Sequence, residues 1–267
     1  SFKAYKKAWK EIRRAEPSMK KQEAIMGNVY ALVLAGGSGQ RMGNIEKPKQ
    51  FISLCGKPVI IHTVEKFCMY TGFEKIIVLV PGQWLQHTCS LLKKYIPWHE
   101  NRVEVAEGGD TRNETLMNGI RYIKEADRLD SSTVIVTHDA VRPFVTMRII
   151  EDNVAAAREY GACDTVIPAT DTIVTGDGNN NARDIPDRRY MYQGQTPQSF
   201  NALMLWELYH SLNADEKQVL TDAAKICTMK GQAVRLVQGE VSNMKLTYPY
   251  DLEVAKAMLG MGGNGSA

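Results

Sequence analysis

The stretch Leu32–Phe51, LVLAGGSGQRMGNIEKPKQF, decides the fold. Its first three residues close an apolar run, VYALVL, that reads as a strand buried on both faces. The run breaks into glycines and then presents Arg41, Lys47 and Lys49 within nine residues. A dinucleotide fingerprint needs GxGxxG and an acid at the end of the next strand. Here Gly37, Gly39 and Gly43 depart from that spacing, and the next apolar strand, KIIVLV, runs into Pro81-Gly82 without an acid. A P-loop needs GK[ST], which is missing from the chain. What remains is a turn with bare backbone amides followed by cations, an arrangement that suits a triphosphate. Arg41 and Lys49 are the expected phosphate ligands, and Lys47 reads as a solvated loop charge.

Outward from this stretch, short β-branched runs alternate with amphipathic segments. PVIIHTVEKFCMY reads as a helix introduced by Pro58, QWLQHTCSLLKKY as a second, TRNETLMNGIRYIKEA as a third and MRIIEDNVAAAREYG as a fourth closed by Gly161. RVEVAEGG and TVIVTHDAVRPF read as strands between them. The alternation predicts an α/β fold with a mostly parallel sheet and helices on both faces. Ligands of such sheets sit beyond the carboxyl ends of the strands. That rule selects AGGSGQR, EGGDTRNET, THDAVRPF and the segment after TVIPATDTIV.

Composition narrows the function classes. The chain has 267 residues, 44% of them hydrophobic, enough for one sizeable core and short for two. A net charge of +3 with interleaved signs argues against a nucleic-acid partner. Five scattered cysteines show neither zinc spacing nor a disulfide framework and read as reduced thiols of a cytoplasmic protein. No apolar stretch reaches the roughly 20 residues of a membrane span, and the first residues lack a signal peptide's apolar region. Residues 1–28 form a basic stretch with Phe2, Tyr5, Ala8, Trp9 and Ile12 at helical spacing, a helical extension whose partner the sequence does not name. Residues 29–260 read as the main domain and 261–267 as an appended tail.

Seven motifs in order, LAGGSGQRM, KPKQF, GGDTRNET, HDAVRP, TPQSF, LTDAAK and NMKLTYPYDL, make the chain from about Val29 to Leu259 resemble the cytidylyltransferases that form CDP-linked polyol phosphates. That group includes the methylerythritol phosphate enzymes of isoprenoid synthesis and the ribitol-5-phosphate enzymes of teichoic acid and capsule synthesis. The runs RNETLMNGI and MYQGQTPQSF look more like the ribitol branch, particularly at Asn113, Glu114 and Gln193-Gly194-Gln195. The resemblance implies a Rossmann-like sheet of the nucleotide-diphospho-sugar transferase type with a protruding β-arm. It implies transfer of CMP from CTP to a polyol phosphate, most simply D-ribitol 5-phosphate with 2-C-methyl-D-erythritol 4-phosphate as the alternative acceptor, with Mg²⁺.

Residue by residue, Arg41, Lys49 and Lys245 match the cations that hold the CTP phosphates and stabilise the transition state. Ala35, Gly36, Gly37, Ser38 and Gly39 match the turn that leaves room for cytosine and ribose. Gly109, Asp110 and Thr115 match contacts to the base and ribose, although Thr115 also sits where a helix starts. Asp139 and Arg142 match the polyol phosphate interface; Asp139 could bind hydroxyls or lie near Mg²⁺, which CTP phosphates would otherwise hold. His138 reads as a packed neighbour. Thr172, Arg188, Thr196 and Thr221 match further substrate contacts, while Asp222 reads as a helix cap. The stretch from about 171 to 194, with its Gly/Asn-rich turn, reads as the arm, and the resemblance implies that it crosses to a second subunit of a homodimer. Two rivals stand beside this reading: a dinucleotide-binding reductase, and an inactive nucleotide-binding scaffold whose working part is the basic segment.

Overall fold

The computed structural model describes residues 28–37 and 47–263. The basic extension to residue 27, the loop 38–46 with Ser38, Gly39 and Arg41, and residues 264–267 lie outside the described residues.

Strand β1, Val29–Leu34, is buried along its whole length. Its alternate side chains enter two different cores: Val29, Ala31 and Val33 on one face, Tyr30, Leu32 and Leu34 on the other. This two-sided burial explains the unbroken apolar run, since a half-exposed strand would alternate. The same holds for β4, Lys75–Val80, and β6, Val134–Asp139, which flank β1 in parallel register. After the short hairpin strands β2 (Ser53–Leu54) and β3 (Lys57–Pro58) come the first two helices, α1 (Val59–Met69) and α2 (Leu85–Tyr95), with β4 between them. Beyond α2 lie β5 (Val103–Glu107), α3 (Arg112–Glu125), β6 and α4 (Met147–Tyr160). Pro58 occupies the cap position before α1, and α4 ends at Gly161 in the left-handed conformation, φ 80°, both where the sequence predicts them.

The chain continues through β7 (Ala162–Pro168), the hairpin strands β8 (Thr175–Gly176) and β9 (Ala182–Asp184), and β10 (Tyr192–Asn201). Helices α5 (Ala202–His210), α6 (Ala214–Gln218) and α7 (Ala223–Met229) follow, then β11 (Arg235–Gln238) and α8 (Pro249–Gly263). The central sheet has seven strands in the order β11-β7-β10-β6-β1-β4-β5. Only β10 runs antiparallel to its neighbours, so the expectation of a mostly parallel sheet covered on both faces holds. Helices α1, α2 and α4 cover one face; α3, α5 and α7 cover the other.

Two boundaries move. Residues 192–194, expected in the arm, belong to β10 and pair with β7, so the projecting part stops before Tyr192. Helix α8 runs to Gly263, past the expected domain end at 260. Within the arm, β8 and β9 are exposed, and Val174, Ile185 and Tyr190 present large apolar side chains to solvent. Among the described residues no helix is long and apolar enough to cross a membrane. All five cysteines are free thiols, and burial pushes Cys68, Cys163 and Cys227 up to about 12, which leaves them protonated and inert.

Candidate active site

The carboxyl ends of β1, β5 and β6 open into one cavity of about 380 Å³. Three of the four places selected from the sequence therefore converge. The fourth, after β7, leads into the exposed arm, and the remaining wall is closed by Lys245 from the loop between β11 and α8.

Each wall has a local cause. Beyond β1, the Ala35 N–H continues the ladder by donating to the Leu79 carbonyl (2.8 Å), leaving Gly36 and Gly37 as bare backbone facing the cavity. Pro48 starts a single 3-10 turn, Lys49–Phe51, in which Lys49 faces the cavity and Phe51 enters the core. Gln50 of the same turn is buried and donates from Nε2 to the Ala35 carbonyl at 2.6 Å. This bond ties the turn that carries Lys49 to the glycine strip. Lys47 is exposed, as a solvated charge should be.

Beyond β5, Thr111 caps α3 with a complete capping box: its hydroxyl accepts from Glu114 N–H (3.1 Å), and Glu114 Oε2 accepts from Thr111 N–H (3.0 Å). The box fixes the helix N-terminus, whose partial positive charge faces the cavity. Thr115, one residue on, is buried; its Oγ1 accepts from Gly109 N–H (3.0 Å) and lies within reach of the Gly109 carbonyl (3.2 Å). A side chain added at Gly36 would place its Cβ 3.4 Å from the same Oγ1. Gly36, Gly109 and Thr115, named separately from the sequence, thus form one closely packed patch, with exposed Asp110 at its rim.

Beyond β6, Asp139 is the centre of a cluster of cations. Its Oδ2 meets Lys245 Nζ at 2.8 Å and Arg142 Nε at 3.6 Å, and its Oδ1 meets Arg112 Nε at 3.4 Å. Burial alone would raise its pKa, but Arg112, Lys245 and Arg142 outweigh burial and hold the carboxyl well below the usual range. Arg142 is itself buried, and donates from Nη1 to the Asn243 carbonyl (2.8 Å) rather than lining the cavity. Burial lowers its pKa and Asp139 opposes that fall. Arg112 lines the cavity and has its Nη1 buried without a hydrogen-bond partner among the described residues.

Behind this cluster, His138 is fully buried. Its Nε2 can only donate to the Arg142 carbonyl (3.0 Å), so Nδ1 accepts from the Thr196 hydroxyl (2.9 Å). Thr196 Oγ1 in turn accepts from Asp139 N–H (3.1 Å). Burial brings the imidazole down to about 4, so His138 is neutral and acts as a packed support. Thr196 is buried in the same set of bonds, away from the cavity lining. Thr172, Arg188 and Thr221 are exposed and outside that lining. Arg188 reaches back to the Thr170 carbonyl (2.9 Å), and Asp222 caps α7 by accepting from Lys225 N–H.

Gln50, Arg112, Gln195 and Asn243 are missing from the set expected of the sequence. Arg112 left a signal: a cation in the first turn of a helix opposes the helix dipole and needs another reason to be there. Gln50 left none beyond a polar residue beside a core Phe.

The sequence profile of the IspD family, 2-C-methyl-D-erythritol 4-phosphate cytidylyltransferase, matches residues 29–261. The chain belongs to the IspD family. Within that family it is 52% identical over 231 residues, 86% of this chain and 98% of the relative, to a ribitol-5-phosphate cytidylyltransferase of Lactiplantibacillus plantarum. Its fold is similar to that of 4-diphosphocytidyl-2C-methyl-D-erythritol synthase from Anaerococcus prevotii, with TM-score 0.73 and 24% identity over 90% of this chain and 99% of the other. The IspD structure from Francisella tularensis gives TM-score 0.71 and 25% identity, covering 86% and 99%. Membership of the IspD family makes the protein a nucleotidyltransferase by descent and removes the dinucleotide-binding reductase from consideration.

Proposed function

We propose that the protein transfers the cytidylyl group of CTP to D-ribitol 5-phosphate, giving CDP-ribitol and pyrophosphate. The observation that carries this reading is the meeting of Lys49, Arg112 and Lys245 in one cavity, at the N-terminus of α3 and beside the packed patch of Gly36, Gly109 and Thr115. Ribitol 5-phosphate is chosen over the methylerythritol phosphate because the ribitol relative shares 52% of its residues with this chain, against 24–25% for the methylerythritol enzymes of the two structures compared above.

In this reading cytosine and ribose lie against Ala35–Gly37, Gly109 and Thr115, and the triphosphate extends toward Lys49 and Lys245; Arg41 keeps the phosphate-binding role that the sequence resemblance implies. An oxygen of the polyol phosphate attacks the α-phosphorus in line. The new P–O bond forms as the bond from the α-phosphorus to the bridging oxygen breaks, and pyrophosphate leaves with that electron pair. The attacking oxygen is already ionised at neutral pH, so no general base is required. That fits a buried neutral His138 with both ring nitrogens engaged. The work left for the protein is positioning and charge stabilisation by fixed cations.

Mg²⁺ fits this site as an ion carried by the triphosphate. Among the described residues no three acidic, His or Cys side chains sit together, and Mg²⁺ is commonly held by substrate phosphates with one or two carboxylates. Asp139 and Asp110 are the carboxylates that line the cavity, Asp139 being the one proposed to contact the ion, which would neutralise phosphate charge. The exposed arm is read as a dimer contact that delivers Thr172 and Arg188 to the polyol phosphate of the partner's site, and the cytoplasm, where CTP is made, as the place of action. Incubation with CTP, Mg²⁺ and a panel of polyol phosphates tests the reaction: pyrophosphate should appear rapidly with D-ribitol 5-phosphate. Its absence with every polyol phosphate would leave the inactive scaffold as the better account.

A further inference from the structure

Lys245 sits on a loop without regular structure, yet its ammonium is held 2.8 Å from Asp139 Oδ2. Its side chain is 38% exposed, so packing does not fix it, and its position depends on the backbone of the loop. Two side chains that face away from the cavity hold that backbone.

Asn243, two residues before Lys245, is fully buried. It donates from Nδ2 to the Thr196 carbonyl (2.8 Å) and to Gln195 Oε1 (3.2 Å), while its own carbonyl receives Arg142 Nη1 (2.8 Å). Gln195 answers from β10: its Nε2 donates to the Glu240 carbonyl (2.8 Å), and its Oε1 accepts from Glu240 N–H (3.4 Å). The start of the loop is shaped for this contact. A Cβ at Gly239 would stand 2.5 Å from Gln195 Oε1 and 3.2 Å from the Val166 carbonyl, so the loop can approach β10 closely only with glycine there.

The reason β10 can provide the clamp is its bulge. Pairing with β7 slips between Gly194 and Gln198, which takes Gln195 and Thr196 out of the ladder. Gln195 then turns to the loop, and the Thr196 hydroxyl accepts from Asp139 N–H at 3.1 Å. One irregular segment therefore holds both ends of the Lys245–Asp139 pair.

We propose that Gln195 and Asn243 are positioning residues for Lys245, a clamp that sets the lysine against the phosphates. The inference rests on the assignment of Lys245 to phosphate binding in the reading above. It also accounts for QGQTPQSF and NMKLT, two motifs distant in sequence, as the two halves of one device.

The test is a double-mutant cycle. Asn243→Ala and Gln195→Ala are made in the wild-type chain and in Lys245→Ala, and kcat, the CTP KM and the equilibrium affinity for CTP are measured for all. Each clamp variant should lower kcat by about tenfold to a hundredfold in the wild-type chain, the scale of a small misplacement of a catalytic group. In the Lys245→Ala background each should change kcat and CTP affinity less than about twofold, because there is no lysine left to misplace; interaction energies of this kind are what such cycles isolate. Equal losses in both backgrounds would overturn the proposal, since general structural damage does not depend on Lys245. If Asn243→Ala fails to fold, Gln195→Ala, which leaves the Asn243 contacts to Thr196 and Arg142 in place, carries the same cycle. Normal turnover in Lys245→Ala itself would refute the phosphate assignment and the clamp with it, a result separate from additivity.

Discussion

Replacing Asp139 with Asn keeps the shape of the side chain and removes the one negative charge among three cations. Lys245 and Arg112 have side chains 38% and 24% exposed and can regain water, but Arg142 is 10% exposed and cannot. At an effective dielectric near 20, the 3.6 Å contact of Arg142 with Asp139 corresponds to a gross attraction of about 5 kcal/mol, most of it offset by desolvation of the pair. Removing one partner of a buried pair costs about 3–5 kcal/mol, and with a single cation left stranded the lower end, about 3 kcal/mol, applies. For a domain of this size that lowers Tm by about 6–12 °C at pH 7.5, measured by differential scanning calorimetry. The pH dependence gives a second handle. The three cations depress the folded-state pKa below the value of about 4 for a free Asp, so its stabilisation is present above about pH 4 and is lost as pH falls below it. Wild type and Asp139→Asn should therefore converge in acid. A Tm change under about 2 °C at pH 7.5, or a gap that persists undiminished to pH 2, would refute the reasoning.

Burial holds His138 at about 4 against about 6.5 in the unfolded chain, so its contribution to stability is complete above pH 6.5 and is lost as pH falls toward 4; His138→Gln should flatten the stability curve in that window. A variant with unchanged slope between pH 6.5 and 4 would show that other groups dominate there. Lys49→Ala and Arg41→Ala should each lower turnover by about two orders of magnitude or more, the cost of one preorganised transition-state donor, and near-normal rates in stopped-assay kinetics would remove them from the mechanism. Arg188→Ala should raise the KM for the polyol phosphate well above any change in the KM for CTP; equal losses for both substrates would place Arg188 in another role.

Elements built from local pattern were legible in the sequence. The run VYALVL reads as a strand buried on both faces and Gly161 marks the end of α4, whereas the cap of α3 falls on Thr111 and not on Thr115, the residue that the sequence reading placed at the helix start. The cavity was legible to the extent that strand ends predict it, and Lys49, Lys245, Gly109 and Thr115 all line it. Strand β10 was not, because Pro197 and Gly194 argue against a central strand; the bulge between Gly194 and Gln198 is what accommodates them. The arm was drawn three residues into that strand for the same reason, with Gly194 at its edge. Gln50, Arg112 and the Gln195–Asn243 pair act through contacts between residues 15 to 48 positions apart, and no local periodicity encodes such pairings.

The most direct test of the account compares kcat/KM for D-ribitol 5-phosphate and 2-C-methyl-D-erythritol 4-phosphate, with CTP and Mg²⁺ saturating and pyrophosphate release as the signal. The two acceptors differ by a branch in the carbon chain and in hydroxyl placement, differences that a site bonding the hydroxyls reads as about a hundredfold or more. The account predicts that preference for the ribitol phosphate, with CDP-ribitol as the product. Equal or greater kcat/KM for the methylerythritol phosphate would contradict it.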